Sequence, residues 1–74
     1  MKLHYYPETD SLYIELSAKP SAESVEVVDG VVIDLSSSGE VVGIDIDHAA
    51  EKLDLESLET VALPVRRDDG AATA

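Results

Sequence analysis

Cysteine is missing from the 74 residues, and so are tryptophan and phenylalanine. Without thiols the chain has no disulfide staple, no thiolate metal site and no cysteine nucleophile. Basic residues are scarce: five Lys and Arg stand against sixteen Asp and Glu, for a formal charge of −11. Nucleic-acid affinity rests on Lys and Arg facing phosphates, and two of the five, Arg66 and Arg67, lie near the C-terminus. Direct DNA or RNA binding is therefore disfavoured, as is an anionic membrane. No segment approaches the ~20 apolar residues of a membrane span, and Met1-Lys2-Leu3 opens on a strand pattern without a basic and apolar leader. A soluble, cytoplasmic protein is expected. Sequence motifs of catalysis are missing too, with no GxSxG, P-loop or HExxH. Neither a cofactor nor an enzymatic activity is expected.

What is there reads as strands. A chain of this length makes one domain and buries only ~60% of its unfolded surface, so its core is marginal. The densest apolar alternation is Val31 to Asp47, two strands joined over Ser36-Ser37-Ser38-Gly39. Period-two alternation puts Val31, Ile33 and Leu35 on one face, with Val42, Ile44 and Ile46 beside them. The turn places Leu35 opposite Glu40, Ile33 opposite Val42 and Val31 opposite Ile44. Lys2–Tyr6 and Ser11–Ser17 form a first hairpin around Pro7-Glu8-Thr9-Asp10, pairing Tyr5 with Leu12, Leu3 with Ile14, His4 with Tyr13 and Lys2 with Glu15. Glu23–Val28 is the third strand, with Val25 and Val27 inward. A two-residue Asp29-Gly30 turn would drive Glu26 into the core at a cost of several kcal/mol, so a bulged Val28-Asp29-Gly30 loop is expected.

After Asp47 the period changes. Ala49, Ala50, Leu53, Leu55, Leu58 and Ala62 fit a helical stripe, with Asp47 or His48 as N-cap and Asp54 as a second cap stapled by Leu53 and Leu58. A short helical region over about 48–60, either continuous or broken near Asp54, is expected on the aliphatic face. Residues 1–63 then form the domain and 64–74 a disordered tail. The fold class is α+β: an antiparallel β-meander of about five strands with a short C-terminal helical region packed on one face.

The outer face of that sheet holds the candidate site residues His4, Tyr13, Val32, Asp34, Val41, Asp45 and Asp47. Their mixture of aromatic, aliphatic and acidic groups fits an interface or ligand face. Tyr13, Val32 and Val41 are more apolar surface than a lone small sheet exposes, which points to a homodimer through this face or a sheet edge. Asp45, Asp47 and His48 have the oxygen and nitrogen character of ligands for a divalent cation, but the calcium-loop spacing is missing. They read better as polar surface and a helix cap. His4 beside Tyr13 reads as a cross-strand aromatic contact in preference to an acid/base pair, and no metal or catalytic site is assigned.

Three segments together carry a resemblance: Tyr5-Tyr6-Pro7-Glu8-Thr9-Asp10-Ser11-Leu12-Tyr13-Ile14, Val27-Val28-Asp29-Gly30-Val31-Val32-Ile33-Asp34-Leu35 and Gly39-Glu40-Val41-Val42-Gly43-Ile44-Asp45-Ile46. This pattern, over residues 1 to about 58, resembles the small prokaryotic family known as domain of unknown function 2283. The resemblance implies a compact β-meander with a C-terminal helix, and no catalytic residues to carry over. Two functional expectations remain. One is a non-enzymatic interaction module that self-associates and binds a basic protein partner, in the manner of an antitoxin. The other is a small-ligand or divalent-metal-binding domain using the outer face. Acidity alone also fits plain solubility or a high-salt cytoplasm.

Overall fold

The computed structural model describes residues 1–64. Five strands, β1 (Lys2–Tyr6), β2 (Ser11–Glu15), β3 (Glu23–Val28), β4 (Val31–Leu35) and β5 (Val41–Ile46), precede one helical turn, α1 (Ala49–Lys52). All pairings are antiparallel, and the strand order is β1-β2-β5-β4-β3. A sequential meander would seat β3 beside β2. Here β5 takes that place, so β2 to β5 form a Greek key. The physical reason lies in composition. β5 carries Val42 and Ile46, both buried, and gains two neighbours at the centre, whereas β3 carries Glu23, Ser24 and Glu26 and tolerates an edge. The crossover after β2 is held at one atom, the Val42 carbonyl, which accepts from Leu16 N–H at 2.9 Å and Ser17 N–H at 3.2 Å.

The first hairpin has the expected register, with Lys2 opposite Glu15, Leu3 opposite Ile14, His4 opposite Tyr13 and Tyr5 opposite Leu12. In the second, Ile33 lies opposite Ile44 and Val31 opposite Ile46, two residues from the expected pairing. Glu40 joins the loop, where its N–H donates to Ser36 Oγ at 3.2 Å, and Val42 is the extra residue of a bulge between Gly43 and Val41. A two-residue shift preserves faces, so the aliphatic grouping survives. In the β3–β4 hairpin Val25 pairs with Ile33 and Glu26 with Val32, but Val28 pairs with Val31. The loop is therefore the two residues Asp29-Gly30 and not the expected three, and a bulge at Val27 is what keeps Glu26 off the inner face. Gly30, at φ 82°, supplies the left-handed residue.

Two uncharged rows cross the inner face of the sheet. One is Tyr5–Leu12–Ile46–Val31–Val28 and the other Leu3–Ile14–Ile44–Ile33–Val25. The core is small: Leu12 and Ile46 close under Ala49, which is fully buried. The expected helix over 48–60 is only one turn long. Leu53 already adopts extended dihedrals (φ −130°, ψ 154°), and Leu58 is 78% exposed, so the expected Asp54 cap and Leu53–Leu58 staple do not form. So short a helix gains too little from propagation to continue unless packed. Val25 and Val27 were expected to point inward into a core; both are exposed, because α1 stops short of the β3 edge. The expected tail beyond Pro64 lies outside the described residues.

α1 is capped from a distance. His48 occupies the N-cap position in a left-handed conformation and makes no side-chain cap bond. Instead the Asp10 carbonyl accepts Ala49 N–H at 2.9 Å, and the Asp10 carboxylate accepts Ala50 N–H at 3.1 Å. Tyr5 Oη donates to the same carboxylate at 2.7 Å.

Candidate functional site

The outer face is a hydrogen-bonded polar surface. His4, Tyr13, Asp45, Val32 and Glu26 form one row across the sheet, and Lys2, Glu15, Gly43, Asp34 and Ser24 the next. Tyr13 lies diagonally across β5. Its ring occupies the space above Gly43, where an added Cβ would stand 2.0 Å from the Tyr13 hydroxyl. Only glycine permits that approach, which lets Tyr13 Oη on β2 donate to Asp34 Oδ2 on β4 at 3.2 Å. Asp34 also accepts from Ser24 Oγ at 2.7 Å. One side chain thus ties β2, β4 and, through Asp34, β3.

The electrostatics follow from crowded carboxylates. Partial desolvation, then the neighbouring Asp47 and Asp34 charges, hold the Asp45 carboxyl above its ordinary value. Desolvation and the Asp34 hydrogen bond push the Tyr13 phenol up. The Asp10 hydrogen bond does the same to Tyr5. His4 Nε2 lies 3.3 Å from Glu15 Oε1, and its ring sits 6.3 Å from that of Tyr13, tilted by 36°.

The candidate residues are therefore only partly brought together. His4, Tyr13, Val32 and Asp45 share a row, with Asp34 beside them. Asp47 follows β5 and accepts from Ser11 Oγ at 3.2 Å, while Val41 lies beyond the bulge opposite Leu35. Among the described residues no three His, Asp or Glu side chains converge as a metal-ligand set.

The inner face offers something sequence periodicity missed. The segment after α1 arches over β1 and β2, leaving an apolar groove of about 520 Å³ between Leu3, Tyr5, Leu12 and Ile14 on the sheet and Leu53, Leu55 and Leu58 above it. A helical reading of 48–60 would have filled this space, so the groove became visible only once α1 proved short. Among the described residues no helix is long and apolar enough to cross a membrane.

No curated protein and no solved structure matches the chain. The family described as "Protein of unknown function (DUF2283)" matches residues 2–49, the whole sheet and the first residue of α1. With most of its length so matched, the chain belongs to that family.

Proposed function

We propose that the protein is a non-enzymatic interaction module that self-associates through the aliphatic face of its sheet and presents its acidic face to a basic protein partner. The observation that carries this reading is the row Leu3–Ile14–Ile44–Ile33–Val25. It crosses all five strands, yet none of its members is fully buried. Sheets in stable domains cover such a face with a second layer, and the described residues supply only one helical turn. Charge is segregated in the sense the proposal needs. Glu15, Glu26, Asp34 and Asp45 lie on the outer rows, and the two inner rows contain no ionisable side chain except the Tyr5 phenol. These two rows themselves present no carboxylate to a second copy.

Sedimentation equilibrium over a concentration series tests this. A mass of two chains at micromolar concentration is expected, with association tightening as NaCl screens two chains of charge −11. Binding of a cationic protein to the outer face weakens with salt instead, so the sign separates the two contacts. A one-chain mass at every concentration and salt refutes self-association. The groove favours a second reading, a small apolar ligand, since its volume falls in the ~300–1,000 Å³ range of ligand sites. A thermal-shift screen with apolar ligands tests it, and no shift across the screen removes it.

A further inference from the structure

Resting on the self-association reading, we infer that two copies exchange C-terminal arms. In this arrangement the segment 55–64 of each chain covers the β3–β4 half of its partner's inner face. Two surfaces on one chain lead there. The first is the half-face itself: Val25, Val27 and Val28 are 40%, 50% and 61% exposed, Ile33 beside Val25 is only half-buried, and α1 packs on Leu12 and Ile46 instead. The second is the arm. It has no helix or strand, and Leu58 at the mouth of the groove, Val61 and Leu63 remain 78%, 78% and 51% exposed. Each chain holds both members of a complementary pair, which is what a twofold isologous contact requires.

Area argues for the arms. Five strands of about five residues, at ~4.8 Å spacing and ~3.4 Å rise, present roughly 400 Å² in projection. A standard interface takes about 800 Å² from each partner. Face-to-face stacking of the sheets alone falls short, and part of each face already lies under its own α1 and groove. Exchanged arms add surface on both sides of the twofold and fill the uncovered half. The arm carries Glu56 and Glu59 and each chain has a formal charge of −11, so the contact strengthens with salt.

The absence of native cysteine gives a clean test. Val25→Cys and Val61→Cys variants of the full chain are mixed in equal amounts, oxidised, and their junction peptides identified by mass spectrometry, with Val27→Cys and Leu58→Cys as a second pair. All four positions are exposed, so folding is retained. Wild-type sedimentation runs alongside. A predominant 25–61 or 27–58 link, together with loss of the two-chain mass when the wild-type chain is cut back to Asp54, establishes the exchange. A two-chain wild-type mass with 25–25 links and no mixed link refutes the exchange and leaves self-association standing. A one-chain mass overturns both.

Discussion

Gly43→Ala forces Tyr13 off the sheet. An added Cβ would stand 2.0 Å from Tyr13 Oη, 2.6 Å from Cζ and 3.0 Å from Cε1. These atoms belong to one rigid ring, which must swing away as a unit. The swing breaks the 3.2 Å bond to Asp34. A hydrogen bond to a charged group contributes ~1.5–3 kcal/mol when buried, and about 1 kcal/mol at this half-exposed site. Lost ring contact with the strand adds about 1 kcal/mol. Alanine recovers about 0.5–1 kcal/mol over glycine in a strand interior. The net loss is about 1–1.5 kcal/mol, or a fall in melting temperature of roughly 5–10 °C for a domain of this size. In a Tyr13→Ala background the obstacle is gone, and the same Gly43→Ala change becomes stabilising by about 0.5–1 kcal/mol. Urea unfolding of the four proteins, followed by far-UV circular dichroism at one fixed concentration, closes the cycle. Equal destabilisation in both backgrounds refutes the argument that Tyr13 is what Gly43 accommodates.

Three further outcomes follow from the geometry. Asp10→Ala removes the acceptor of the Ala50 amide and of Tyr5 Oη; a loss of about 1 kcal/mol is expected, with hydrogen exchange at Ala50 accelerating more than in Tyr5→Phe, which keeps the cap. Gly30→Ala places a side chain at φ 82°, with Lys52 Nζ 2.9 Å from the new Cβ, and costs about 1–2 kcal/mol in thermal unfolding. Asp45 holds its proton more tightly in the folded chain than in the unfolded one, so its contribution is fully favourable below the unfolded carboxyl value and is lost as pH rises through the raised one. Asp45→Asn is therefore more stable than wild type near neutrality, and that advantage shrinks in melts taken at acid pH.

The local hairpins were legible because short-range signals determine them. Pro7 and Asp10 punctuate a four-residue loop, and alternation on either side leaves a single register that puts Leu3, Tyr5, Leu12 and Ile14 together. Val42 was harder to place, since a bulge costs the pattern nothing when the loop lengthens with it. The neighbour of β2 is a tertiary choice that no local spacing encodes. Its trace in the sequence was a glycine at 43, on the same outer face as Tyr13 across one strand pair, where an aromatic ring can cover the missing side chain. The helical stripe over 48–60 misled because period 3.6 records which residues prefer one side, while persistence of a helix depends on a surface to pack against. Of the candidate site, the row His4–Tyr13–Asp45–Val32 was legible from period two. The inner groove was not, because it depends on where a helix stops.

Asp10 and Ala50 are forty positions apart, and that separation sets an order of events. A lone helical turn does not nucleate by itself, so α1 has to wait until the turn after β1 has closed and offered its carboxylate. Opening the turn at Pro7–Asp10, by a nick or a bulky label, accordingly releases α1.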